Sequence, residues 1–543
     1  MMPIMNKETI RRIDTLFREW DDPGSPGCSL GILRRGKVLY SRGYGMASLE
    51  HDVPISQKTV FDLGSTSKQF VAFCIALLEN RGKISAEDDA ARYLPELGKY
   101  AGKICIKHLL HHTSGIRDYL ALMELAGMRY ENEYPDEQIF NLIKMQRDLN
   151  FIPGGEFLYS NSGYLLLGEI IKRVSGLSLR EFADKNIFSP LGMKNTHFHD
   201  DYSVIVRNKA TGYSTSANGF KTDISLFDVV GDGGVNTNVT DLAKWDANFY
   251  VNRLGGGQDL IKKIITPGRL NDGRELAYSY GLFLSGYRGQ RVVSHGGAWV
   301  GYRSEMMRFP DKDLTIVCLS NLVQVKPTHL SKRIADICLK GELAGRPTPA
   351  RPCAAGGRGV KGRSLSPGLY LDERNEGFIE LESAGGKYVL RDDESRYELY
   401  CIGDGRYAVA GGLRELLVLA DVHGKARVML KKLNSGPVEY RKEPRPRITG
   451  SRAARLSGRY YTEELGTEYV LRNKGAKLFL ERPGAEAEEL HWITERILAG
   501  KYISLIFPKV PAARSFLLDY CRIKGIVFKK SQHGSVVPVA DTK

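Results

Sequence analysis

The longest unbroken apolar run in the chain, Phe70 to Leu78, limits its fold more than any other stretch. It is far too short to cross a bilayer, which takes about 20 residues. Within it Phe70, Val71, Cys74, Ile75, Leu77 and Leu78 recur at three- and four-residue spacing before Gly82. The spacing predicts a helix over Ser65 to Arg81, buried in a large domain. That helix opens on Gly64-Ser65-Thr66-Ser67-Lys68. Helix positions i and i+3 are neighbours, about 5–6 Å apart between Cβ atoms, so the lysine nitrogen would lie against the serine hydroxyl. An unaided serine is a poor nucleophile, and a lysine desolvated by burial is one way to activate it. The N–H of Ser65, in the first turn, can point at a developing oxyanion. The same residues also read as a plain helix start with a capping serine and a solvated lysine. Ser65 is, however, the only serine in the chain with lysine three residues later.

The chain has 543 residues, 42% of them apolar, enough for one large domain and one or two small ones. Met1 to Trp20 lacks an apolar export core and instead places Ile10, Ile13, Phe17 and Trp20 on one helix face, so no export signal is expected. The cysteines are scattered without Cys-x-x-Cys pairs, and a cytoplasmic protein with reduced thiols follows. The net charge of +15 raises nucleic acid or a membrane surface as partners. Much of the excess falls in two connectors that carry Pro and Gly without interleaved aromatics, which read as solvated linkers. Neither nucleic acid nor membrane is expected.

Two strands, Cys28 to Leu33 and Lys37 to Gly45, follow the N-terminal helix. They contain Gly27-Cys28-Ser29-Leu30-Gly31, the Gly-x-Ser-x-Gly pattern of α/β-hydrolases. That pattern needs a helix after the serine, and here a strand follows, so Ser29 reads as an ordinary strand residue. Ser85 to about Gly192 reads as mostly helical. His108, His111 and His112 lack an acidic or thiolate ligand at matching spacing and read as core or turn histidines, with no metal or cofactor expected. Tyr159 and Asn161 lie on a short Pro/Gly-bounded loop feeding an apolar helix, Leu165 to Val174. There a phenol could shuttle a proton and a carboxamide could hold a substrate carbonyl; a buried tyrosine and a helix-capping asparagine is the competing reading. The turn Gly231 to Asn238 precedes a helix over Thr240 to Tyr250. An antiparallel meander follows over Tyr278 to Leu284, Arg291 to His295, Tyr302 to Phe309 and Leu314 to Ser320, and a helix over Thr328 to Leu339 closes it. Its strand ending at His295 runs into Gly296-Gly297-Ala298, where glycines let a bound chain approach and the Ala298 N–H could join that of Ser65 in an oxyanion hole.

Ser65-x-x-Lys68, Tyr159-x-Asn161 and His295-x-Gly297, in that order, resemble the motifs of the serine β-lactamase-like superfamily: class C β-lactamases, D,D-peptidases, related esterases and D-aminopeptidases. HTSG at His112 to Gly115, PGGEFLYSNSGY from Pro153, the GDGG turn and SHGGAWVGYRS from Ser294 are similar phrases. The resemblance covers about residues 10 to 340. It implies an antiparallel sheet flanked by helices with a mostly helical lobe. It also implies Ser65 as the acylated nucleophile, Lys68 and Tyr159 sharing base and acid duties, and Ser65 and Ala298 N–H groups as the oxyanion hole. Many members carry Lys-Thr-Gly where this chain has His295-Gly296-Gly297. A histidine is mostly neutral at cytoplasmic pH and would not attract a substrate carboxylate, which argues against β-lactams and peptides ending in D-Ala; Arg303 is a candidate for the lost charge.

Beyond a Pro/Gly/Ala/Arg-rich stretch the texture changes to short alternating strands. Leu365 to Tyr370 resembles Leu456 to Tyr461, and Gly385 to Leu390 resembles Gly475 to Leu480, a repeat that predicts two small antiparallel barrels. D-aminopeptidases are similar in layout. The expected order is a hydrolase domain (1–345), linker (346–365), barrel (366–443), linker (444–455) and barrel (456–543). The expected activity is acyl-enzyme hydrolysis of small amides or short peptides, D-aminopeptidase-like. A carboxylesterase using the same residues is the nearest rival, with a β-lactamase or penicillin-binding D,D-carboxypeptidase and a non-catalytic binding protein behind it. A homo-oligomer is left open.

Overall fold

The structure, a computed structural model, describes residues 5–345 apart from 101, and residues 365–531 apart from 373–376, 385–386, 393–395, 404–405, 410–413, 420–425, 433–436 and 509–513. The expected linker over 346–365 lies, save Leu365, outside the described residues. Two compact units are present, one of 1–115, 130–136 and 151–346, the other of 116–129, 137–150 and 347–543.

The first unit is built on a six-stranded antiparallel sheet. Its strands are β1 (Cys28–Arg34), β2 (Lys37–Tyr44), β3 (Phe283–Tyr287), β4 (Gln290–Trp299), β5 (Tyr302–Phe309) and β6 (Leu314–Ser320), in the order β3-β4-β5-β6-β1-β2. Both ends of the chain segment therefore meet at β1 and β6, paired from Cys28↔Ser320 to Arg34↔Leu314. One face packs on α1 (Lys7–Asp14) and, at the end of the unit, on a helix over Pro327–Cys338, through Ile13, Phe17, Leu30, Ile32, Met307, Ile316 and Ile334. The helix predicted from Ser65 is split: a 3₁₀ turn over Gly64–Ser67 leads into α2 (Lys68–Asn80). Every residue of α2 from Lys68 to Leu78 is buried, so even its polar members need partners. Gln69 meets this by donating to Thr66 O at 2.9 Å and accepting from the Trp245 indole at 2.7 Å. Two further helices border the site's segments, α3 (Asn161–Ser175), which opens on the asparagine of the Tyr-x-Asn motif, and α4 (Val239–Tyr250), which follows the GDGG turn; the closing helix Pro327–Cys338 is α5.

Two expectations about the meander need correction. The first strand begins at Phe283, not Tyr278, because Tyr278 turns inward to the site and Gly281 takes φ +70°. The strand expected to end at His295 runs on to Trp299, since Gly296 to Trp299 continue the register against Glu305 to Tyr302. Ser29 lies in β1, fully buried, its hydroxyl donating to Ser56 O.

The second unit holds two closed eight-stranded antiparallel barrels, from Gly368 to Glu443 and from Gly458 to Lys530. Closure leaves neither sheet an edge. Inward alternation fills the first with Tyr370, Ile379, Leu381, Leu390, Leu399, Leu416 and Leu430. Leu369, Leu371 and Phe378 from it share a core with Ile493, Ile497 and Ala499 of the second. The repeat is real: Gly368 and Gly458 both take φ +144° as the first residue of their barrel, in the same register as the Gly385 and Gly475 phrases and one residue off the Leu365 and Leu456 pairing. Tyr370 and Tyr460 each donate to the carbonyl four residues back, Ser366 O and Leu456 O. The segments 116–129 and 137–150 of this unit are built on the helices Tyr119–Leu125 and Asp136–Met145. There the Arg117 guanidinium, fully buried, meets Glu464 at 2.5 Å, Gln146 at 2.9 Å and Lys524 O at 3.0 Å.

Candidate active site

Ser65 sits on the 3₁₀ turn ahead of α2, partly exposed at a position whose neighbours are buried. The turn is pressed against β4. Gly64 takes φ +50°, and a Cβ there would fall 2.7 Å from Ala298 N; a Cβ on Gly297 would fall 1.8 Å from Leu63 O. Only glycines permit this approach, which brings the Ala298 backbone against the turn that carries Ser65. Hydroxyls lock it: Thr66 donates to His295 O at 3.0 Å, and Ser304 donates to Leu63 O at 2.7 Å. Asp62, two residues before Gly64, accepts the Gly64 N–H at 2.7 Å.

Lys68 has no exposed surface, and its Nζ gathers three oxygens: Ser65 Oγ at 3.1 Å, Asn161 Oδ1 at 2.9 Å and Asp232 O at 2.5 Å. The last two are carbonyl oxygens and can only accept, so they take two N–H groups and leave the third position of the nitrogen facing the serine. Nζ also lies 5.0 Å from the Tyr159 ring centroid and 5.6 Å from that of Tyr164. Tyr159 is held by His112, whose ring lies 4.1 Å away and whose Nδ1 accepts the Ser160 N–H at 3.1 Å. Asn161 is the first residue of α3, with Ser160 as its N-cap, so the asparagine is a lysine partner and not the cap.

His295 closes the site from β4. Burial, joined by the Lys68 charge, pushes its imidazole down to about 3, so it is neutral. Its Nδ1 lies 2.6 Å from Gly296 O, an obligate acceptor, so Nδ1 carries the proton and Nε2 accepts from Tyr278 Oη at 3.1 Å. Phe283 at 5.2 Å and Tyr159 at 6.1 Å complete a cage of rings around it. Gly296 is paired with Glu305. Arg303 does not replace the missing cation. Its neighbour Ser304 faces Ser65's turn, strand residues alternate faces, and the Arg303 guanidinium folds back onto Val300 O and Tyr302 O.

The structure brings Ser65, Lys68, Tyr159, Asn161, His295, Gly297 and the Ala298 backbone together, whereas Gly296 gives His295 only its carbonyl and otherwise faces Glu305 on the other side of the sheet. Three contributors escaped sequence reading, His112, Tyr278 and the Asp232 carbonyl. His112 carried one sequence signal, its place at the head of the HTSG turn, where the structure gives it a φ of +56°, a conformation in which histidine is several-fold enriched among non-glycine residues. The backbone carbonyl had none. Of the other histidines, His111 is buried against Tyr280 and pushed down to about 4 by that burial.

The chain is 31% identical over 417 residues to a penicillin-binding protein of Bacillus subtilis, spanning 72% of this chain and 88% of the relative. It is 26% identical over 460 residues to a D-aminopeptidase of Brucella ovis, spanning 84% of this chain and 82% of the relative. The fold is similar to that of an octameric penicillin-binding protein homologue from Pyrococcus abyssi, with a TM-score of 0.53 at 22% identity over 87% of this chain and 98% of that one. A profile of the Beta-lactamase family matches residues 13–338, the stretch that carries every residue of this cleft, and the chain belongs to that family.

Proposed function

We propose that the chain hydrolyses small amides or short peptides through an acyl-enzyme on Ser65, in the manner of a D-aminopeptidase. The enzyme is a serine hydrolase, and the observation that carries the residue assignment is the Lys68 nitrogen, buried and held by two carbonyls with its remaining position on Ser65 Oγ. Ser65 Oγ attacks the carbonyl carbon, its proton passes into the Lys68–Tyr159 pair, and charge develops on an oxygen facing the Ser65 and Ala298 N–H groups. The carbon–nitrogen bond then breaks as that pair returns the proton to the departing amine. Water attacks the ester in turn, with the same groups in reverse order. Neutral His295 offers no charge to a leaving-group carboxylate, which supports amide or ester leaving groups over β-lactams and D-Ala-terminated peptides.

Six described cysteines are free thiols, which supports a reducing, cytoplasmic location. Among the described residues no helix is long and apolar enough to cross a membrane. The octameric relative supports a homo-oligomer for this chain too. The basic surplus is read as linker charge, without a nucleic-acid partner.

The test is intact-mass labelling by a fluorophosphonate in wild type, Ser65→Ala and Ser29→Ala, followed by D- and L-amino-acid amides and short-chain esters. Labelling lost only in Ser65→Ala, with amides turned over, supports the reading. Turnover of esters alone makes the chain a carboxylesterase, and loss of labelling only in a folded Ser29→Ala overturns the assignment.

A further inference from the structure

The strand that carries His295 and Ala298 ends on a different surface. Trp299 has the parity of Gly297, whose Cβ would point at Leu63 O, so its indole leaves the sheet on Ser65's side. Two rings stand against it, Tyr130 with a centroid 5.2 Å away and Phe227 at 5.8 Å. The wall is braced: Ser225 Oγ donates to Tyr130 O at 2.7 Å and accepts the Phe227 N–H at 3.0 Å. The loop that bears Phe227 runs on within five residues to Asp232, whose carbonyl receives Lys68. All three rings keep part of their surface open, and on the same loop Ile224 is 53% and Leu226 39% exposed. An apolar surface left open beside a nucleophile is a place for an apolar group of the ligand.

The site also has a direction. Tyr159, which serves the leaving group, lies on the His295 side, 6.1 Å from that ring and stacked at 6.5 Å on Phe283. With the scissile carbonyl held at Ser65 and Ala298, the leaving group extends toward His295 and the acyl group toward Trp299.

Resting on the hydrolase reading above, we propose that Tyr130, Phe227 and Trp299 form the acyl side-chain subsite, and that the enzyme selects amides whose acyl residue bears a large apolar or aromatic side chain. A pocket built this way discriminates by apolar contact, on the order of tenfold or more for a missing hydrocarbon group. The experiment compares kcat/KM for phenylalaninamide, alaninamide and glycinamide, each as D and L forms, in wild type, Trp299→Ala and Phe227→Ala, with thermal melts to confirm folding. The expected result is a wild-type preference for phenylalaninamide over alaninamide of at least about tenfold, which falls at least about fivefold in each variant through a larger loss on phenylalaninamide. Phe227, on a loop, guards against a Trp299 variant that does not fold. Turnover with alaninamide equal or better in wild type, or an unchanged ratio in both folded variants, overturns the subsite and leaves the hydrolase reading standing. No turnover of any amide together with no Ser65 labelling overturns both.

Discussion

Lys68 makes a demanding choice at the residue scale. A buried lysine is stable only if its donors are met, and here two carbonyls from distant segments meet them while a hydroxyl takes the third place. The phenol of Tyr159 has a different support, the imidazole of His112 against its ring. Replacing Tyr159 by Phe keeps the ring packing and removes only the hydroxyl. The expected outcome is a fall in kcat of about 10²–10⁴ with the thermal midpoint unchanged, read by steady-state kinetics beside a melt. Equal kcat in the variant would take Tyr159 out of the chemistry. Ser65-x-x-Lys68 was legible in the sequence because its geometry is local to one turn. Arg303 was not, because the face it takes depends on the register of β5 against β4.

At the scale of elements, the site is the seam between the Ser65 turn and β4. Adding a methyl at Gly297 would drive that seam apart, since the new Cβ would lie 1.8 Å from Leu63 O. Displacements of about 1 Å at a reacting centre cost about 10²-fold, so Gly297→Ala is expected to lose at least that in both turnover and fluorophosphonate labelling. The other face of the same strand pair holds a titrating group. Glu305 is buried beside Gly296, between the Thr328 hydroxyl and the Ser294 side chain, with the Lys332 charge on α5 nearby, and its Oε1 has no hydrogen-bond partner among the described residues. Burial pushes its carboxyl up to about 7. The folded state therefore binds the proton more tightly than the unfolded chain does. That contribution is complete below about pH 4 and is lost as pH rises through 7, up to about 3 kcal/mol. Glu305→Gln keeps the neutral shape. Urea melts from pH 4 to 8 should show wild type losing stability relative to the variant across that window, whereas parallel pH curves would mean Glu305 stays ionised in the fold.

On the scale of the whole molecule, the second unit is not one continuous stretch of chain. The second unit draws in the segments 116–129 and 137–150, which lie in the chain between the HTSG turn and the Tyr159 loop. The join is an ion pair between Arg117, with no exposed side-chain surface, and Glu464, with 3%. A buried pair of this kind is worth little against a well-packed apolar alternative, but breaking it strands a charge at a cost of about 3–5 kcal/mol. Glu464→Ala should therefore lower the urea midpoint of the second unit by about that free energy, measured by fluorescence. A change below about 1 kcal/mol would mean that Gln146 and the Lys524 carbonyl suffice to hold the guanidinium.

Local rules were enough to read much of this protein. The strand runs of β1 and β6, buried along almost their whole length, the apolar period of α2, the Ser65–Lys68 spacing and the repeat behind the two barrels are all set within one turn, one strand or one copy of a motif. Their energetics are short-range, so they show in a short window of residues. Other features depend on which distant segments exclude water together. That competition placed Asn161 and the Asp232 carbonyl on Lys68, set His112 beneath Tyr159, turned Arg303 to the far face of the sheet and buried Arg117 on Glu464. Burial makes each of these pairings strong and obligatory, and burial is a property of the assembled fold, so only the tertiary structure decided them.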